Sequence, residues 1–168
     1  MIAFINASPL IYLGKLGLLR FLSNLFDSII TCPAVHKEVL EDKKAQERAA
    51  LEIAFRDYIV VQEPGNSRVL ESLKELEIHP GEAGVIMLAS EATEPNVLII
   101  DDRDARSVAR TMGINLTGTL GILLTLIIED YISKDDAKRY LRFLLQNTDF
   151  YMSTGVYARM LEEIDKLN

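Results

Sequence analysis

The sequence predicts an α/β protein built on a parallel sheet that helices cover on both faces. Two observations predict it. Short apolar runs, Ile2–Ile5, Ser28–Cys32, Tyr58–Gln62, Val97–Ile100 and Ile114–Leu116, alternate with longer segments whose apolar residues recur at helical spacing. The runs are also nearly continuous in apolar character, which suits strands buried on both sides better than strands of a half-exposed sheet. The chain has 168 residues, 49% hydrophobic and 26% charged, enough for one compact domain over residues 1–168 but not comfortably for two.

Between the first two runs, Leu10, Leu13, Leu16, Leu19, Phe21, Leu22 and Leu25 repeat at helical spacing, and Gly14 and Gly17 permit a break, so two short helices are expected there. Pro33 suits the first turn of a helix carrying Val35, Val39 and Leu40, and Glu47 to Arg56 continues helical before the third run. Glu63–Ser67 reads as a turn and Ser67–Leu76 as a helix. Pro80-Gly81 then opens a helix over Glu82–Ala92, with Ala83, Ile86, Met87 and Ser90 along one side. Further helices are expected at Arg103–Met112, Leu120–Asp130, Lys134–Gln146 and Thr154–Leu167. The helices of 134–168, with Leu141, Phe143, Leu144, Phe150 and Tyr151, either complete the core or form an interface.

Composition narrows the function. A net charge of −7 argues against a broad basic surface for nucleic acid, so any such contact must be local or metal-mediated. The longest apolar run, Ile122 to Ile128, is broken by Thr125 and falls far short of the roughly 18–20 residues of a spanning helix, so no membrane role is expected. The first residues lack the basic and apolar regions of a secretory signal, and the lone Cys32 suits a reducing compartment; a cytoplasmic protein is expected. Cys32 reads as a core residue rather than a nucleophile.

In open parallel sheets ligands bind beyond the carboxyl ends of the strands. Polar residues stand at four such places: Asn6-Ala7-Ser8 after the first strand, Asp101-Asp102 after the fourth, and two early-helix acids, Glu38 and Glu82. Carboxylates converging in one cleft repel one another and are costly to desolvate unless a cation compensates, which makes a hard-metal site a natural reading. His36 and His79 read as surface or capping residues.

These segments, Asn6-Ala7-Ser8-Pro9-Leu10, Glu38, Gly81-Glu82-Ala83, Ile99-Ile100-Asp101-Asp102 and Thr117-Gly118-Thr119-Leu120-Gly121, resemble the ordered motifs of PIN-domain proteins from residue 2 to about residue 125. The resemblance implies a three-layer α/β/α fold with a five-stranded parallel sheet and a Mg2+- or Mn2+-dependent endoribonuclease, often paired with a small antitoxin-like protein. It implies a homodimer and a single-stranded RNA substrate. It places Asn6, Glu38, Glu82 and Asp101 around the metal, gives catalytic roles to Glu38, Glu82, Asp101 and Asp102, and sets Ser8, Thr119, Arg103 and Arg106 against the substrate. Position 6 departs from the pattern: the family has aspartate there, and an asparagine oxygen can ligate magnesium without bringing charge.

Each residue also has a structural reading. Glu38 lies on a charged helical face, Glu82 would be favourable at a helix N-terminus with no metal, and one of Asp101 and Asp102 can cap the following helix. Thr119 can cap as well. Arg103, Arg106 and Arg110 share one helical face and suit either phosphates or surface ion pairs. The rival functions are a non-catalytic PIN-like module that binds RNA or a protein, which Asn6 favours, and a receiver domain, which lacks its acid pair after the first strand and its lysine near the last.

Overall fold

The structure is a computed structural model, and it describes residues 1–65, 68–75 and 77–167. It contains two compact units, Met1–Gly118 and the segment from Thr119 onward.

The first unit carries strands β1 (Ile2–Ile5), β2 (Ser28–Thr31), β3 (Ile59–Val61), β4 (Asn96–Ile99) and β5 (Leu116–Thr117). They pair in the order β3-β2-β1-β4-β5, every pair parallel, giving the five-stranded sheet of a three-layer α/β/α fold. Ala3, Phe4 and Ile5 of central β1 are buried, as a strand covered on both faces requires, whereas Val60 and Val61 on edge strand β3 are exposed. Thr31, fully buried in β2, is satisfied because its Oγ1 donates to the Ile5 carbonyl at 2.7 Å.

The helices of this unit are α1 (Ala7–Lys15), α2 (Leu22–Leu25), α3 (Pro33–Val39), α4 (Arg48–Asp57), α5 (Arg68–Glu75), α6 (Pro80–Glu91) and α7 (Arg103–Thr111), with a 3-10 turn at Leu19–Phe21 before α2. The break expected between the first two helices falls at Gly17, whose φ of +70° suits glycine. Asn66, Ser67 and Leu76, parts of the expected turn and helix, lie outside the described residues.

Helix α6 departs from the one-sided pattern expected for it, since Gly81, Ala83, Gly84, Val85, Ile86, Met87, Leu88 and Ala89 are all buried. It fits because its small residues admit neighbours closely: a Cβ on Gly84 would stand 2.7 Å from Cys32 Sγ. The third strand begins after Tyr58, which instead terminates α4. The fifth begins at Leu116 rather than Ile114, because Gly113, at φ +74°, closes the end of α7 and the Ile114 amide still bonds back to Ala109. Helix α3 ends at Val39, so Glu38 sits in its last turn, not early in a helix; the charged stretch Glu41–Lys44 follows as turns.

The second unit comprises α8 (Thr119–Ile128), α9 (Lys134–Asn147) and α10 (Thr154–Lys166), which pack on one another. Ser133 and Asp136 form a capping box at the start of α9, and Lys138 Nζ meets Asp165 Oδ1 at 2.5 Å to tie α9 to α10. Leu141 and Leu144 are buried, whereas Tyr151 is 88% exposed, so the C-terminal apolar set divides between core and surface.

Candidate active site

With β1 central, the chain runs outward through β2 to β3 and then returns to lay β4 on the other side of β1. The strand order therefore switches between β1 and β4, and the crevice beyond their carboxyl ends is where such sheets bind ligands. Residue 6 follows β1 and residues 101 and 102 follow β4; the Asn6 amide donates to the Ile99 carbonyl at 3.0 Å and locks the two strand ends together.

Asn6 occupies the N-cap position of α1, where an asparagine oxygen ordinarily accepts from a first-turn amide, yet its side chain makes no such bond. The residue is 3% exposed and, among the described residues, its Oδ1 has no hydrogen-bond partner. A buried acceptor left so costs about 1–3 kcal/mol. That oxygen and Glu38 Oε2 lie 3.6 and 3.4 Å from the position a Cβ on Gly81 would take, so Gly81 leaves open the space between them.

Glu82 is the third residue of α6 and half-buried. Its Oε2 accepts from the His79 amide at 3.3 Å, and His79 Nδ1 accepts from the Gly81 amide at 3.4 Å, together forming a capping box. His79 Nδ1 also approaches Glu38 Oε2 at 3.8 Å. Burial raises the Glu82 carboxyl above its ordinary range; the Asp102 charge adds to this, the His79 amide opposes it, and Glu38 adds further. Asn6 and Glu38 thus flank Gly81, the residue before Glu82.

Asp102 is the N-cap of α7, its Oδ1 accepting from Asp104 and Ala105 amides at 2.9 and 2.8 Å. A Cβ on Gly118 would meet Asp101 Oδ1 at 2.6 Å and Arg106 Nη1 at 3.1 Å. Arg106 Nη1 itself donates to the Ile100 and Thr117 carbonyls at 2.7 and 2.8 Å. Arg103 is exposed at the start of α7, and Ser8 is half-buried in the first turn of α1. Thr119 is fully buried as the first residue of α8.

The donors are hard oxygens, and an orphaned buried acceptor beside carboxylates is chemistry that a divalent cation satisfies. Among the described residues no three His, Cys, Asp or Glu side chains converge closely enough to hold one ion. Glu82 and Asp102 each turn an oxygen onto a helix N-terminal amide. Both capping roles were legible in the sequence, Glu82 standing early in a helix and Asp102 just before one. Cys32, expected in the core, is buried at the N-cap position of α3, where burial raises its thiol pKa.

A family model described as a PIN domain matches residues 2–166 of the chain. No curated protein and no solved structure matches it. Among the described residues no helix is long and apolar enough to cross a membrane.

Proposed function

Because the chain belongs to the PIN-domain family over residues 2–166, a nuclease-type fold that generally uses divalent metals on RNA, we propose that it is an endoribonuclease hydrolysing single-stranded RNA with Mg2+ or Mn2+. One observation carries the reading. Asn6 forgoes an available helix cap and keeps a buried oxygen unpartnered beside Glu38, an arrangement that costs stability unless a ligand completes it. Asn6, Glu38, Glu82 and an acid from the end of β4 would hold the cation. When bound, that cation supplies charge neutralisation for in-line attack on the phosphodiester. Ser8 would help orient water, and Arg103 would meet substrate phosphates from the exposed start of α7. A cytoplasmic homodimer controlled by a small antitoxin-like protein belongs to the same proposal and rests on the resemblance alone.

The test is cleavage of a labelled single-stranded RNA by the purified chain. Activity lost in EDTA and restored by Mn2+ supports the reading, and no cleavage with either ion overturns it. A second reading, a PIN-like module that binds RNA or a protein without cutting, is favoured by the neutral side chain at position 6. RNA binding that persists in EDTA without cleavage would select it.

A further inference from the structure

Two adjacent acids leave β4, and the structure separates their surroundings. Ile100 and Thr117 present carbonyls at the carboxyl ends of β4 and β5, and one nitrogen, Arg106 Nη1, donates to both at 2.7 and 2.8 Å. The same nitrogen and Asp101 Oδ1 crowd Gly118, where a Cβ would lie 3.1 and 2.6 Å from them. Asp101 Oδ1 and the Arg106 guanidinium thus flank the same glycine just beyond β5. Asp102 instead presents its Oδ1 to the Asp104 and Ala105 amides at the start of α7.

We propose that Arg106 and Asp101 are positioning residues, a clamp across the ends of β4 and β5, and that Asp102 rather than Asp101 is the β4 carboxylate left to join Asn6, Glu38 and Glu82. The assignment rests on the cation-site reading given above. Electrostatics agree with the clamp: the Asp101 charge offsets the burial and the neighbouring Arg110 that lower Arg106. Arg106 is a poor choice for gripping RNA, because its Nη1 is already engaged by two backbone carbonyls. Exposed Arg103 and Arg110 remain for that. A side chain at Gly118 would press on the Asp101 carboxylate.

Asparagine caps a helix as well as aspartate, so Asp102→Asn removes the charge and keeps the cap. The full-length chain is titrated with Mn2+ by calorimetry at a temperature where circular dichroism shows every variant folded. Asp102→Asn should weaken Mn2+ binding at least about tenfold, Asp101→Asn by less than about threefold, and Arg106→Gln several-fold with partial recovery in Arg106→Lys. The opposite order, with Asp101→Asn the more damaging, overturns the assignment. If the wild-type chain binds no Mn2+, the cation reading fails, and the clamp is judged by hydrogen exchange at the Ile100 amide, which bonds to Thr117 O at 3.0 Å. Exchange there should accelerate at least about tenfold in Arg106→Gln and stay unchanged in Asp102→Asn. An Ile100 amide indifferent to Arg106→Gln overturns the clamp.

Discussion

Replacing Asn6 by aspartate sets two physical effects against each other. The new carboxylate would occupy a site that is 3% exposed, with Glu38 Oε2 near the same Gly81. Since the two oxygens each lie within 3.6 Å of one point, they are at most about 7 Å apart, and the repulsion at an effective dielectric of about 20 is roughly 2 kcal/mol. Glu38 is 40% exposed, so solvent screening roughly halves this. The expected loss in chelator is therefore about 1 kcal/mol, or about 2–4 °C in Tm for a chain of this size. In Mn2+ the same charge is attractive, and a tenfold gain in affinity corresponds to about 1.4 kcal/mol. Differential scanning calorimetry of both proteins in EDTA and in excess MnCl2, with titration calorimetry for the metal, reads both signs. A competing effect would raise Tm without metal: aspartate is a good N-cap and favours the positive end of α1. If Asn6→Asp is stabilised in EDTA and its Mn2+ affinity is unchanged, residue 6 is only a cap and the site reasoning is wrong.

The other expectations test the surroundings of the site. Gly84→Ala brings a Cβ to 2.7 Å from Cys32 Sγ and should destabilise by about 1–3 kcal/mol, with much of that recovered by adding Cys32→Ala; equal chemical-denaturation midpoints for Gly84→Ala and wild type would contradict this. The Cys32 thiol titrates above its ordinary 9.0 in the folded protein. The unfolded chain therefore loses this proton first, and stability should fall as pH rises from about 9 toward the folded value, a component that Cys32→Ala should lack in urea melts. Glu82 is likewise raised, from 4.5, so its ionised form weakens the native state at neutral pH, and the penalty is relieved as pH falls through the raised value and is gone below the unfolded one. In EDTA, Glu82→Gln should be the more stable protein at pH 7, with the advantage over wild type shrinking toward pH 4.5; a constant difference across that range would argue against the shift.

Much of the fold was legible because it depends on local patterning. The continuous apolar runs around Ala3-Phe4-Ile5 and Leu98-Ile99 marked strands buried on both faces, and Pro33, Pro80 and Asp102 stand at helix starts where short-range backbone chemistry puts them. Boundaries were less legible where neighbouring elements compete for the same residues. Tyr58 joined the end of α4, and Ile114 was held back to Ala109 instead of entering β5. The length of α3 was also misread, since its apolar spacing through Val39 and Leu40 does not reveal that Leu40 leaves the helix.

By itself the sequence determined an alternation of strand and helix, an acidic chain, and a set of oxygen-bearing residues at the carboxyl ends of strands. Only the tertiary structure decided which of them meet. Pairing of β4 on the far side of β1 brings residue 6 to the Ile99 carbonyl at the end of β4, just before residues 101 and 102, and no periodicity encodes a contact across more than ninety positions. Tertiary packing also decided what each oxygen is committed to: Glu82 and Asp102 to helix amides, Asp101 to the Arg106 side, and Asn6 Oδ1 to nothing. The reason is physical. Helix and strand formation follow from neighbours a few residues away, whereas the direction and partner of a polar side chain depend on which strands pair and how tightly glycines such as Gly81 and Gly118 let the backbone approach.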